Sequence, residues 1–129
     1  MDRPPVIQKN AADLRVTPNW AEYEAERSRF SWEDVRRQLR GLPHGALNIG
    51  FEAVDRHAVT SLRDRTALRF VSRSAPPYDL SYGELALQTN RFANVLQRLG
   101  VGQGDHLFVL AGRMPELYIA VLGALKNGT

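Results

Sequence analysis

Residues 107–128 read Leu-Phe-Val-Leu-Ala-Gly-Arg-Met-Pro-Glu-Leu-Tyr-Ile-Ala-Val-Leu-Gly-Ala-Leu-Lys-Asn-Gly, and this stretch decides the fold class. Its opening is continuously apolar, which is typical of a strand covered on both faces in a parallel sheet, so we predict a strand over His106–Leu110. The turn Gly112–Met114 follows, and Pro115 suits the first position of a helix. Because that helix is apolar almost all round, we expect it to be buried on several sides.

A strand, a turn and a buried helix require a following parallel strand, because a right-handed crossover is complete only when the chain re-enters the sheet. The sequence stops at Thr129. We therefore expect the front portion of a larger α/β protein: an incomplete three-layer fragment with an N-terminal helical arm, a short hairpin and the first parallel strand-helix unit. Such a piece would expose sheet edge and helix surface, which predicts self-association.

Composition limits the class of protein. The chain has 129 residues, of which 43% are apolar, 24% charged and none cysteine, which fits one soluble globular unit. A formal charge of +3 is too small and too scattered to indicate a nucleic-acid or membrane partner. The apolar run Leu117–Leu125 is far shorter than the roughly 20 residues of a membrane span. Residues 1–10 lack a secretory signal, and the absence of cysteine is compatible with the cytoplasm, where we expect the protein.

The amino-terminal third predicts an arm and one helix. Residues 1 to about 30 are rich in proline and asparagine and are expected to cross a surface. A helix is predicted from Ser31 to about Arg40, with Ser31 and Asp34 as a variant capping box and Phe30 and Val35 as a hydrophobic staple. The expected aromatic anchors of the arm are Trp20, Tyr23 and Phe30.

The middle of the chain predicts a helix and a hairpin. Asn48 is the expected cap of a helix that runs to about Ala58. The residue pattern then changes to that of strands at Thr66–Val71, and Tyr78–Leu80 is expected to pair back after a turn at Ser72–Pro77.

The clearest helix start follows the hairpin. Ser81-Tyr82-Gly83-Glu84 is a complete capping box, because the serine and the glutamate can each satisfy the other's backbone N–H. Apolar residues then recur at helical spacing to Leu99, and Gly100 is the expected left-handed cap.

Several patterns resemble functional sites, and for each the residues favour a structural interpretation. The arginines at 36, 37 and 40 favour a solvated helix face over a phosphate-binding stripe, since no aromatic residues interleave them. Asp55-Arg56-His57 is adjacent in sequence, but adjacent helical residues point about 100° apart. Neither lysine, Lys9 or Lys126, is placed for phosphate binding, and the three histidines are too dispersed for a metal motif.

Two loops remain as candidates for anion binding. Gly100, Gly102 and Gly104 follow a helix and precede a strand, which is the reverse of a dinucleotide fingerprint and favours a simple turn. Arg113 is the best candidate for contacting an anion, because loops at the carboxyl ends of parallel strands line ligand crevices. The alternative, which the residues favour, is that Arg113 anchors the turn or a neighbouring carboxylate. The sequence therefore assigns no catalytic, cofactor-binding or metal residue.

The chain resembles the AMP-forming acetyl-CoA synthetases of the adenylate-forming superfamily, in the shorter bacterial type. Blocks of residues agree with that family in order and spacing over most of the chain. These blocks are Phe30–Trp32, Leu47–Ala58, Leu80–Leu85, Asn90–Leu96, Leu99–Asp105 and Arg113–Gly128.

The resemblance implies a two-step ligase. A carboxylate attacks the α-phosphorus of Mg-ATP to give an acyl adenylate and pyrophosphate, and the thiol of coenzyme A then takes the acyl group. The family's phosphate loop, Tyr-x-x-Thr-Glu element, ribose-binding aspartate and adenylation lysine are not matched in this sequence, so what transfers is scaffold. The implied substrates of the parent enzyme are acetate or a short-chain acid, ATP and CoA.

Our interpretation is an N-terminal fragment of an acetyl- or short-chain acyl-CoA synthetase that is inactive alone. Residues 1–47 are expected to form the arm and its helix, and residues 48–129 the opening part of the large adenylation domain. The alternative is a self-standing α/β protein-interaction or regulatory module.

Overall fold

A computed structural model describes residues 10, 12, 14–17, 22–73 and 75–129. The predicted anchor Trp20 and the lysine at position 9 lie outside the described residues. The chain divides into two compact units, Met1–Gln38 and Leu39–Thr129, which we treat separately.

The first unit contains two short helices, α1 (Tyr23–Arg29) and α2 (Trp32–Gln38). Neither helix buries a residue, and Tyr23 and Phe30 are 55% and 51% exposed, so the burial expected of these two aromatic anchors is not found. Phe30 instead packs edge to face on Trp32, with ring centroids 5.1 Å apart. An apolar ring on so short a polar segment has few neighbours to cover it.

The predicted capping box of α2 is also wrong. The Ser31 hydroxyl donates to Glu33 Oε2 at 3.2 Å, and the Asp34 carboxylate pairs with Arg37 one turn later. The Asp34 side chain is one methylene shorter than that of the glutamate in a usual capping box. Its carboxylate forms an ion pair with the nearby Arg37 instead of the capping hydrogen bond. The helix itself forms within the predicted limits.

The second unit begins with a 3-10 turn at Pro43–Gly45 and a helix that is π-helical over Phe51–Asp55 and continues as α3 (Arg56–Ala58). Asn48 caps this helix as predicted, because its Oδ1 accepts from the Phe51 amide at 3.0 Å. The π-helical turn was not predicted, since hydrophobic spacing alone does not separate it from an α-helix over one or two turns.

A two-stranded antiparallel hairpin follows, formed by β1 (Thr66–Phe70) and β2 (Tyr78–Ser81), as the sequence predicts. The ladder pairs Arg69 with Asp79 and has an irregularity between Thr66 and Leu68. Nε of Arg69 donates to Asp79 Oδ1 at 2.7 Å, and Nη2 of Arg69 donates to Asp79 Oδ2 at 2.6 Å. This charge-assisted fork stabilises the predicted strand register.

Helix α4 (Tyr82–Arg98) begins at the predicted capping box. The Glu84 amide donates to Ser81 Oγ at 3.2 Å, and the Ser81 amide donates to Glu84 Oε2 at 2.9 Å. The helix ends at Gly100, whose φ of +79° is the left-handed conformation expected for a glycine cap.

The core lies between the π-helical segment, the hairpin and α4. Helix α5 (Pro115–Asn127) packs along α4, and Gly123 permits a close approach, since a Cβ there would lie 2.8 Å from the Thr89 carbonyl oxygen. Partly buried Ile119 and Leu122 of α5 extend the core. The buried cluster consists of Val54, Ala58, Leu80, Leu85 and Ala86.

The predicted strand His106–Leu110 is not paired into a sheet. Residues 105–111 form neither helix nor strand, and no backbone group of residues 106–110 hydrogen-bonds to another backbone group of the described chain. A strand is defined by its paired neighbours, and the hairpin, the one sheet among the described residues, contains only β1 and β2. We call residues 106–110 the apolar segment.

Candidate functional site

Arg113 lies in a cleft between the hairpin and the start of α5. The cleft has a volume of about 540 Å³, and its walls come from β1, the turn after β1, β2 and the first residues of α5. We call it the Arg113 cleft. Its lining residues are Leu68–Ser72, Ala75, Pro76, Tyr78, Arg113–Pro115 and Tyr118.

Three aromatic rings meet at this cleft. Phe70 stacks on Tyr78 with ring centroids 6.3 Å apart and meets Tyr118 edge to face at 5.5 Å. The two tyrosines remain 48% and 42% exposed, so each keeps free ring surface. The antiparallel register pairs Phe70 with Tyr78, and Tyr118 comes from the first turn of α5.

The charge at the cleft is positive. Among the described residues two arginines, Arg69 and Arg113, line it, and no acidic side chain does. Arg69 forms an ion pair with Asp79. The hydrogen bonds that Arg69 donates hold the pKa of the Asp79 carboxyl below its ordinary value, so the carboxylate stays ionised. Arg113 has no ion pair or side-chain hydrogen bond within the described part of the chain, so the anchoring alternative finds no partner there.

A second cluster of polar groups surrounds Lys126, and we call it the polar junction. The Lys126 side chain is only 8% exposed, and its Nζ lies 2.7 Å from Asp55 Oδ2, 2.7 Å from Thr89 Oγ1 and 2.9 Å from Asn90 Oδ1. These three acceptors match the three protons of an ammonium group. The junction therefore joins the π-helical segment, α4 and α5 and leaves Lys126 no proton for a ligand.

Asn48 completes the polar junction. While Oδ1 caps the helix that follows, Nδ2 donates to the carbonyl oxygens of Leu125 and Lys126 at 2.9 and 3.3 Å. One amide thus satisfies backbone groups at the start of one helix and the end of another. The sequence predicted the first role and missed the second, because a contact over 77 residues leaves no local signal.

The sequence Asp55-Arg56-His57 does not form a catalytic cluster. Asp55 pairs with Lys126, Arg56 donates to Glu52 at 2.9 Å, and the His57 ring packs on Tyr82 at 5.0 Å. Three adjacent side chains therefore point to three different partners, as helical geometry predicts.

Glu52 is a structural carboxylate. It accepts from the Gly41 amide at 2.7 Å, from the Arg40 amide at 3.2 Å and from Arg56. Burial alone would raise its pKa, but these hydrogen bonds outweigh burial and lower the pKa below its ordinary value. The ionised carboxylate joins the loop at residues 40–41 to the π-helical segment.

The glycine-rich bend is a turn rather than a phosphate loop. The Gly102 amide donates to Asp105 Oδ2 at 2.8 Å, and the Gly104 amide donates to the Gly128 carbonyl at 3.1 Å. These amides already have acceptors within the chain. No group of three or more His, Cys, Asp or Glu among the described residues is arranged to hold a metal ion.

The apolar segment exposes two large apolar side chains. Phe108 is 92% exposed and Leu110 fully exposed, and a mostly apolar pocket of about 330 Å³ separates the segment from α5. None of the helices formed by described residues has both the length and the apolar character that crossing a bilayer requires.

Comparison with known proteins identifies related sequences. A profile of the family described as AMP-binding enzyme matches residues 54–129. An acetyl-coenzyme A synthetase of Bacillus subtilis is 34% identical over 111 residues, which cover 85% of this chain and 19% of that protein. An acetyl-coenzyme A synthetase of Methanothrix soehngenii is 36% identical over 86 residues, covering 65% of this chain and 13% of that protein.

One solved structure agrees in fold. A crystal structure of an acyl-CoA synthetase from Brucella canis matches with a TM-score of 0.72 and 29% identity, covering 82% of this chain and 19% of that one. The arrangement of helices with a small antiparallel hairpin is therefore that of a part of such an enzyme, and the expected fold class is confirmed. This chain spans less than a fifth of the length of these relatives.

Proposed function

The chain belongs to the AMP-binding enzyme family, and we propose that it forms the opening part of the adenylation domain of an acetyl-CoA or related short-chain acyl-CoA synthetase. The whole enzyme would join a carboxylate to CoA through an acyl adenylate, with release of AMP and pyrophosphate. Its substrates would be acetate or a short-chain acid, Mg-ATP and CoA, and it would act in the cytoplasm.

One observation carries the proposal. The apolar segment has no backbone hydrogen bond to another described residue, although four-fifths of the chain matches part of a much longer acyl-CoA synthetase. Exposed Phe108 and Leu110 leave apolar surface in water, and the unpaired N–H and C=O groups beside them can template a further strand. We infer that this strand belongs to the remainder of an adenylation domain.

The described residues contribute scaffold to the reaction. The polar junction fixes the end of α5, the capping box fixes the start of α4, and Gly123 sets the distance between these helices. The groups that would hold Mg-ATP and transfer the acyl group are assigned to parts of the enzyme outside this chain. Residues 48–129 would be the domain part, and residues 1–47 the arm that precedes it.

A chimeric enzyme tests this function. The segment of the Bacillus subtilis acetyl-CoA synthetase that matches this chain would be replaced by the chain, and acetate-dependent exchange of pyrophosphate into ATP measured. We expect exchange by the chimera and none by the 129-residue chain alone. A folded chimera without exchange, or a chain active alone, would contradict the proposal.

Matched variants make the chimera test specific. Phe108→Asp with Leu110→Asp should abolish exchange, because charges would then lie where a strand must pack. Val59→Asp serves as the control, since Val59 is 67% exposed in a turn. Equal activity of the two variants would show that the apolar segment is not built into the domain.

The alternative function is that of a self-standing interaction module, in which the apolar segment would bind another protein. It predicts that the chimera fails and that the isolated chain is a stable monomer. Self-association of the isolated chain, by contrast, would follow from our proposal, since two copies can pair their free edges.

A further inference from the structure

Residues 40–47, which we call the entry loop, follow closely on the boundary between the two units, because the first unit ends at Gln38. We propose that Glu52 is a latch that holds the entry loop on the second unit and so sets the length of the connection between the units. With the latch closed the loop is part of the second unit, and with the latch open it becomes linker. This role does not rest on the synthetase proposal, because every contact involved lies within the second unit.

Two backbone donors of the entry loop converge on the Glu52 carboxylate. The Gly41 amide donates to Oε1 at 2.7 Å, and the Arg40 amide donates to Oε2 at 3.2 Å. Oε2 also accepts from Arg56 Nη1 at 2.9 Å, and the Glu52 side chain is only 11% exposed. Hydrogen bonds to an ionised acceptor are stronger than those between neutral groups. Since both loop donors are main-chain groups, the latch depends on the side chain of Glu52 and not on the side chains at 40 and 41.

The entry loop beyond Gly41 is held by contacts within itself. The Leu42 amide donates to the Ala46 carbonyl at 2.8 Å, and the Gly45 amide donates to the Leu42 carbonyl at 3.2 Å. Residues 43–47 are all exposed, so little burial holds this part of the loop on the second unit. Segments with few buried contacts open locally at a low cost in free energy. Loss of the latch should therefore release the loop while its internal turn persists.

The residue after the entry loop is fixed independently of the latch. Asn48 accepts from the Phe51 amide through Oδ1 and donates to the Leu125 carbonyl through Nδ2, so it is tied both to its own helix and to the end of α5. Opening of the latch would therefore free residues 40–47 and leave the helix that follows in place. A fully extended chain of this length spans about 26–29 Å. The connection between the two units would gain up to that reach.

Distances between two spin labels in the 129-residue chain test the latch. The chain has no cysteine, so labels can be attached at Ala46→Cys in the entry loop and at Val59→Cys after α3, both exposed positions. With Glu52 present we expect one narrow distance distribution. Glu52→Ala should replace it by a broad distribution, because both loop donors lose their acceptor. A broad distribution in the chain that retains Glu52 would overturn the proposal.

Amide hydrogen exchange separates release of the loop from unfolding of the whole unit. Glu52→Ala should speed exchange of the Gly41 amide at least about tenfold, the loss of one hydrogen bond to a charged acceptor, while amides in the middle of α4 keep their rates. Glu52→Gln should have a smaller effect, because its carbonyl oxygen remains as an uncharged acceptor. Asp105→Ala is the matched control and should leave Gly41 exchange unchanged, since Asp105 accepts from the amide of Gly102 in another loop.

The two measurements together decide the role of Glu52. Faster exchange at Gly41 with unchanged α4 amides and a broadened distance distribution would establish the latch. Unchanged Gly41 exchange in Glu52→Ala would show that other contacts hold the entry loop, which contradicts the proposal. Equal acceleration at Gly41 and in α4, in both Glu52 variants, would show that Glu52 supports the whole second unit rather than the loop, and would also overturn it.

Discussion

Single side chains stabilise the second unit, Leu39–Thr129, at points where polar groups lack a partner in the secondary structure. Lys126 is the clearest case, because its side chain is only 8% exposed and its ammonium group donates to three acceptors. Burial of a charge is tolerated only with such full pairing. The residue therefore acts as a structural bridge from α5 to α4 and to the π-helical segment.

Replacement of Lys126 tests this bridge. Lys126→Met should lower the free energy of unfolding by about 2 kcal/mol, less than for a fully buried pair, because Asp55 remains 20% exposed and can be hydrated. Urea denaturation followed by circular dichroism measures the change. In the double variant with Asp55→Asn the two losses should not add, with a coupling of at least about 0.5 kcal/mol. Additive losses would mean that the two side chains do not interact.

The contact at Gly123 gives a second prediction at this scale. A Cβ at this position would lie 2.8 Å from the Thr89 oxygen and 2.9 Å from Phe92 Cδ1, so α4 and α5 would have to separate. Gly123→Ala should therefore destabilise the chain by about 1–3 kcal/mol. Gly102→Ala is the matched control, since nothing lies within 4 Å of its Cβ position and its φ is not positive, and we expect a change within about 0.5 kcal/mol.

At the scale of the secondary-structure elements, helix α4 depends on short-range capping contacts at both of its ends. Helix α4 is capped by Ser81 before its first residue and by left-handed Gly100 after its last, as the sequence predicts, because the caps at both ends are short-range contacts. The capping box also makes the helix sensitive to acid. Hydrogen bonds from the Ser81 amide and hydroxyl hold the pKa of Glu84 below its ordinary value.

The sign of this pH effect follows from proton binding. Since the folded pKa of Glu84 is lowered, the unfolded chain binds more protons, and the stabilisation is lost as the pH falls from about 4.3 through the folded pKa. Asp79 contributes in the same direction, because its hydrogen bonds from Arg69 lower its pKa. The free energy of unfolding should therefore decrease as the pH is lowered through this range.

Glu84→Gln checks the contribution of the capping carboxylate. The amide keeps an acceptor for the Ser81 amide but cannot titrate, so the variant should lose less stability than the parent chain on acidification. Carboxyl titration by NMR would report the lowered pKa of Glu84 directly. An unchanged pH profile of stability would contradict the assignment.

At the scale of the whole molecule, we expect the exposed apolar segment to determine whether isolated chains associate. Phe108 and Leu110 are nearly or fully exposed beside backbone groups that hydrogen-bond to no other backbone group of the described residues, so two isolated chains should pair through residues 106–110. Sedimentation velocity over a series of concentrations should show mass that rises with concentration. Phe108→Lys with Leu110→Lys should shift the chain toward monomer, and Val59→Lys should not. A parent chain that stays monomeric throughout would rule out this pairing.

The sequence by itself determined the features that depend on neighbours within a few residues. These include the hairpin, the capping box at Ser81, the left-handed cap at Gly100, the cap role of Asn48 and, through its residue blocks, the family. It could not determine that Ser31 and Asp34 prefer other partners, since which local partner wins is a matter of reach and competition.

Only the tertiary structure decided the contacts between distant residues. It placed Lys126 against Asp55 and Asn48 against the end of α5, it grouped Arg113 with three aromatic rings, and it left the predicted strand at 106–110 unpaired. The physical reason is the same in each case. A cap needs one turn of chain, whereas a buried ion pair, a cleft or a sheet needs surfaces that meet only after the chain has folded.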